Sequence, residues 1–233
     1  MITVYTIAYN EEVMLPFFIK WYRTRFPDCK IVIYDNYSTD NTEKIALENN
    51  CEIIKFDTGN EFRDDIHMQI KNNCWKDAKT DWVITCDTDE LLNIDANDLK
   101  KEQSQGTTII KTLGWNMVNL NNEIIFEEIK HGFIHIHQSK KILFNKSKVK
   151  EMNYDAGAHN IRPKGVILYS EKVYNLCHFK YLSENYLVER YKTLNSRLSQ
   201  INKRNGWGTH YNIAEENLRA SFENSKKELT KIL

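Results

Sequence analysis

The segment Trp82-Val83-Ile84-Thr85-Cys86-Asp87-Thr88-Asp89-Glu90 is a short apolar run that ends abruptly in carboxylates. It has the length and composition of a buried strand. Alternate residues of an extended segment share a face, which predicts that Asp87 and Asp89 aim at one point while Thr88 faces away. Like charges forced together in this way are relieved by sharing a proton or a cation. The pair is therefore a candidate divalent-cation seat, although an isolated Asp-x-Asp also occurs as a solvated turn or a helix N-cap.

Three earlier apolar runs, Ile2 to Ala8, Lys30 to Tyr34 and Cys51 to Phe56, also read as buried strands, and each runs into hydrogen-bonding residues. These are Tyr9-Asn10-Glu11-Glu12, Asp35-Asn36-Tyr37-Ser38-Thr39-Asp40 and Asp57-Thr58-Gly59-Asn60. The intervening segments suit helical crossovers. Glu12 to Thr24 carries Val13, Phe17, Phe18 and Trp21 on one face, with Pro16 tolerated in the first turn. Asp40 and Glu43 resemble a capping box, and Asp64 to Trp75 presents Ile66, Ile70 and Trp75 or Cys74. Strands alternating with helices predict a parallel α/β sheet. All the polar clusters then fall on one rim, the ligand-binding rim of open α/β sheets.

The second half is less regular. Thr107 to Leu113, Ile124 to Ile129, Phe133 to Ile136 and Lys141 to Phe144 read as strands added to a mixed sheet. Ser183 to Arg204 reads as one long amphipathic helix, with Leu187, Tyr191, Leu194, Leu198 and Ile201 inward. Gly206-Trp207-Gly208 breaks it from a last helix over Ile213 to Leu233, with Leu218, Phe222 and Leu229 inward. The expected organisation is a catalytic body over 1–182 and a helical extension over 183–233 packed on it.

With 32 basic and 32 acidic residues, the overall field favours neither nucleic acid nor a strongly acidic partner. Five cysteines without metal-type spacing read as reduced core thiols. The first residues lack a basic leader pattern and no apolar stretch approaches the roughly 20 residues of a membrane span. The expectation is a cytoplasmic protein. Lys140, Lys141, Lys146, Lys148 and Lys150, with Lys226, Lys227 and Lys231, form a basic surface that can meet anionic lipid at the inner face of a membrane, or stay solvated.

Tyr9-Asn10-Glu11-Glu12 with Leu15-Pro16 and Trp21-Tyr22, then Tyr34 through Asp40 with Thr42, then Asp87-Thr88-Asp89-Glu90, resemble in this order a family 2-type glycosyltransferase. The similarity covers about the first 120 residues. It implies a single Rossmann-like α/β domain of glycosyltransferase A-type, with a mixed central sheet and a C-terminal helical extension. It also implies a nucleoside diphosphate sugar donor, a UDP-sugar by preference, and a glycan or lipid-linked acceptor in cell-surface polysaccharide or glycoconjugate synthesis. By the same resemblance Asp35 holds uracil or ribose, and Asp87 and Asp89 serve ribose and a manganese or magnesium ion.

Tyr9, Asn10, Glu12, Asp57 and Thr88 lie on the same rim. Arg63 and Asp64 follow the third strand, where a cation can meet phosphate and an acid can meet base or ribose, or the two form a surface ion pair. A departing nucleoside diphosphate develops negative charge, which a bound cation stabilises. His178 is the candidate nitrogen ligand from later in the chain, its alternative role being a buried cap. An inverting transfer needs a base for the acceptor hydroxyl. Asp155 is the candidate, followed by Glu127, Glu128 and His159. His131, His135 and His137 offer an i, i+2 pair without a third ligand, and Trp115 reads as an acceptor-stacking or a core residue. The competing classes are a nucleotidyltransferase, disfavoured because the first loop is acidic rather than Gly-rich, and a non-catalytic nucleotide-sugar-binding module.

Overall fold

The computed structural model describes residues 1–233. In chain order the elements are β1 (Ile2–Ala8), α1 (Leu15–Arg25), β2 (Lys30–Asp35), α2 (Thr42–Glu48), β3 (Glu52–Lys55), α3 (Asp64–Asn73), β4 (Trp82–Asp87), β5 (Glu90–Leu92), α4 (Ala96–Ser104) and β6 (Ile109–Val118). They continue with β7 (His131–Ile134), β8 (Leu143–Asn145), β9 (Val149–Glu151), β10 (Lys164–Gly165), β11 (Tyr169–Tyr181), α5 (Glu184–Ser196), α6 (Gln200–Asn205), α7 (Glu215–Ser225) and β12 (Thr230–Lys231).

The main sheet has the order β12-β7-β6-β8-β4-β1-β2-β3. Strands β4, β1, β2 and β3 are parallel neighbours, so the polar segments that follow them share one rim, as the alternation of strands and helices predicts. Alternate residues on these strands enter opposite cores. Ile2, Val4, Ile31, Ile33, Trp82 and Ile84 pack with α1 in the larger cluster, whereas Tyr5, Val32 and Val83 face Trp75 and Phe144. Covering both faces is what makes these strands read as unbroken apolar runs rather than as alternating ones. Three of the cysteines are buried and none is paired.

Beyond β4 the expectations need correction. Ile124 to Ile129 is not a strand: Phe126–Glu128 form a single 3-10 turn, with Phe126 stacked on Phe17 of α1 at 4.4 Å. The long C-terminal helix is broken between α5 and α6, because Phe62 bonds the backbone of Arg197 and Ser199 on either side of Leu198. The Ser199 side chain then caps α6. The last helix ends at Ser225, and β12 pairs with β7 instead. Asp40 and Glu43 form no capping box. Asp40 accepts from the backbone N–H of Thr42 and Glu12, while Glu43 meets Lys55. The longest strand, β11, runs parallel to β6 and antiparallel to β5, which carries His178 beside the acidic turn. Residues of α5 and α7 close over Val118 and Tyr181 in a third apolar cluster.

Candidate active site

The charged centre lies where β1 and β4 end. Asp87 closes β4 and Thr88–Asp89 turn into β5, so strand alternation stops at Asp87. The two aspartates hold different partners. Asp87 accepts from the ammonium groups of Lys71 on α3, at 2.6 Å, and Lys140, at 3.1 Å. Lys140 also meets Glu90 at 2.5 Å, and the other Glu90 oxygen accepts the Asp87 backbone N–H. Asp89 lies 3.2 Å from the Arg190 guanidinium and 3.4 Å from His178 Nε2. Arg190 also reaches Glu11 at 2.8 Å, and the second Glu11 oxygen is buried without a partner.

These contacts set the charge states. Burial works against ionisation of Asp87, but Lys71 and Lys140 outweigh it and hold the carboxyl well below the usual range. For Asp89 burial is likewise overcome, by His178 and Arg190. Lys140 is desolvated, yet Glu90 and Asp87 raise it above an ordinary lysine. Burial pushes Glu11 up to about 7 against the pull of Arg190, and Asp64 up to about 6 against that of Lys71. The Nδ1 atom of His178 stands 2.8 Å from Asn116 Oδ1. With Nδ1 held there, Nε2 is turned toward Asp89, the orientation that a second-shell carbonyl gives a metal-binding histidine. No group of three His, Cys, Asp or Glu side chains converges on one point. Of the residues expected to hold a divalent ion, Asp89 and His178 stand together, whereas the two oxygens of Asp87 are taken by Lys71 and Lys140.

Other residues on the rim are held by the protein itself. Asp35 is fully buried and accepts from the Ser38 backbone, the Ser38 hydroxyl and Lys55. Asn10, with φ +54°, and Glu12 tie the first loop to the second: Asn10 accepts from Thr39 N–H, and Glu12 accepts from the Asn41 backbone and amide. Tyr9 donates to Asn60, and the Arg197 guanidinium lies 3.1 Å from its ring centre. Asp57 closes its own turn through the Gly59 N–H. Arg63 does not pair with Asp64; it forms a fork with Asp65, and Asp64 accepts from Asn202 of α6. Thr88 is buried.

Asp155 accepts from the backbone and amide of Asn160. It lies in a loop anchored to α3 by Asn72, which bonds both backbone groups of Tyr154. Glu127 pairs with Lys20 of α1 and Glu128 with Asn121, both on the surface. Trp115 donates to Asn175 and packs against the larger core. Lys140 is withdrawn from the basic surface by its ion pairs, and Lys146 is bound to the carbonyls of Lys76 and Ala78.

The sequence singles out neither Lys71 nor Arg190, places Lys140 in a basic surface, and gives Glu11 no role beyond the first polar cluster. Arg190 left a trace, since it stands three residues after Leu187 on the buried side of α5. Lys140 is two residues before buried Ile142, and Lys71 has no comparable signal.

His67 is enclosed by the rings of Phe56 and Phe62, 5.9 and 5.2 Å away, and its Nε2 has no partner. Burial lowers it to about 4. Its folded pKa lies below that of the unfolded chain, so acid favours the unfolded state. Its contribution to stability is complete above about pH 6.5 and is lost as pH falls toward 4. In His67→Leu the unfolding temperature is expected to decline less steeply across that window than in wild type. Superimposable pH profiles would refute this.

The parallel half-sheet defines a Rossmann-like α/β protein whose charged residues gather at the carboxyl ends of its strands. Residues 3–101 match the family described as Glycosyl transferase family 2. Among solved structures, the chain is similar to S. aureus TarS at 13% identity, covering 97% of this chain and 43% of that one with a TM-score of 0.49. TarS 1-349 in complex with UDP-GlcNAc is 15% identical, with 96% and 72% covered and a TM-score of 0.47. The glucosyl-3-phosphoglycerate synthase of Mycobacterium tuberculosis, in complex with Mn2+, UDP and glucosyl-3-phosphoglycerate, is 18% identical, with 49% and 44% covered and a TM-score of 0.36. The chain spans less than half the length of the first of these structures. No curated protein matches its sequence. No helix is long and apolar enough to cross a membrane.

Proposed function

We propose that this chain is a glycosyltransferase that moves a sugar from a nucleoside diphosphate, UDP in particular, to a hydroxyl of a glycan or lipid-linked acceptor. The transfer inverts the anomeric centre and serves cell-surface polysaccharide or glycoconjugate synthesis on the cytoplasmic side of the membrane. One observation carries the reading: within and beside the family 2 segment, Glu11, Asp87, Asp89 and Glu90 gather at the ends of β1 and β4 around Lys71, Lys140 and Arg190.

In this reading the uridine lies along the β1–β3 rim, with Asp35 and Tyr9 beside it. Asp89 and His178 hold the manganese or magnesium ion, with Asp87 as a further oxygen ligand. The ion supplies Lewis-acid stabilisation of the departing diphosphate. Lys71 and Lys140 are fixed charges beside the same group. Lys140 is already desolvated and keeps its pair with Glu90 when Asp87 turns to the ion, so its placement there costs little reorganisation during reaction. Asp155 takes the acceptor proton. Its loop is anchored through Asn72 to α3, the helix that also carries Lys71.

A thermal-shift screen of nucleoside diphosphate sugars, with and without manganese, tests the donor. At a hundredfold excess over Kd a ligand stabilises by about 2.7 kcal/mol, which raises the unfolding temperature by about 5–10 °C in a chain this size. The absence of a shift with any such nucleotide would sink the reading. Asp155→Asn is expected to lose transfer by about 10²–10⁴-fold with unchanged UDP binding, and unchanged transfer reassigns the base.

A further inference from the structure

Next to the acid cluster, the structure gathers bases that nothing in the chain neutralises. The turn after β7 lies flat on β6 because Gly114 has no side chain; a Cβ there would stand 2.3 Å from the Gln138 carbonyl carbon. This brings in His135 and His137, with ring centres 5.9 Å apart. Gly157, with φ +74°, leaves room for the His159 ring, which a Cβ would approach to 2.8 Å. His159 Nδ1 is 2.7 Å from the His137 carbonyl, and the two rings meet edge to face at 6.3 Å. Lys180 projects where β11 slips its register against β6. Its ammonium lies 5.1 and 5.3 Å from the ring centres of Tyr181 and Tyr191.

None of these four bases has a carboxylate partner, whereas Lys71, Lys140 and Arg190 are all committed to acids. The Nδ1 atom of His135 and the Oε1 atom of Gln138 are buried without hydrogen-bond partners. The electrostatics agree with the geometry. Burial lowers His135, and Lys180, His178, His137 and His159 all push it the same way. Lys180 stands two residues beyond His178, which pairs with Glu90 across β11 and β5, so the group borders the acid cluster; His159, lowered by burial and by Lys140, is pulled the other way by Glu90 and Asp87.

Resting on the donor-site reading above, we propose that this border is the acceptor subsite and that the acceptor carries a phosphate ester held by His135, His137, His159 and Lys180. A neutral sugar leaves the Lys180 charge unmatched. A phosphate offers several oxygens to donors arriving from different directions, and a planar carboxylate suits them less well.

The test is calorimetric titration of the full chain with inorganic phosphate and with glycerol phosphate at constant ionic strength, with and without saturating UDP. Binding is expected to persist when UDP fills the donor site. Lys180→Met, which keeps the stem against both tyrosines, and His137→Ala are each expected to weaken it about tenfold without altering UDP affinity. The proposal is overturned if phosphate does not bind, if UDP displaces it, or if both variants bind it as wild type does. If UDP itself fails to bind, the donor reading falls separately, and the variant titrations with phosphate still decide this one.

Discussion

Asp89→Asn is expected to lower sugar transfer by on the order of 10²–10³-fold, the usual cost of removing one charged contact from a preorganised site. The Asp89 carboxylate stands between His178 and Arg190, so it is the junction of the proposed metal site and the cationic pair with Glu11. The amide keeps its size and can still accept a hydrogen bond from Arg190. The fold is therefore expected to survive, with the unfolding temperature within a few degrees of wild type. Steady-state transfer measured beside thermal unfolding separates the two effects. Full turnover in the variant, or undiminished wild-type turnover in chelator, would rule the metal role out.

Lys140→Met is expected to produce the largest loss of stability, about 3–5 kcal/mol, because it strands a buried carboxylate. Glu90 is 1% exposed and Lys140 is its only cation, whereas Asp87 keeps Lys71. In a chain of this length that cost corresponds to a fall of about 6–20 °C in unfolding temperature. The double variant Lys140→Met with Glu90→Gln removes the stranded charge and should recover much of the loss. Equal stability in the single and double variants would show that the pair is not what holds this region.

The parts legible from sequence are those whose physics is local. Ile2–Ala8, Lys30–Asp35 and Trp82–Asp87 are strands because each is an apolar run of strand length. Their polar termini share a rim because parallel neighbours point the same way. Where local pattern and tertiary contact compete, the sequence misleads. The residues from Ser183 to Arg204 keep helical spacing across the break at Leu198, because inward leucines continue in phase while Phe62 interrupts the backbone. The apolar residues between Ile124 and Ile129 serve the packing of Phe126 on Phe17 rather than a strand ladder. Strand β11 was missed because exposed Glu171, Lys172 and Val173 dilute its apolar signal.

The amino-acid order by itself determined four parallel strands and the acids at their ends, since burial and periodicity act over a few neighbouring residues. Only the tertiary structure decided what those acids meet. Lys71 arrives from a helix, Lys140 from the approach to β8, and Arg190 from a helix about a hundred residues beyond Asp89. A charge is selected in a buried site by the field of groups distant in the chain, and that field exists only once the chain has folded.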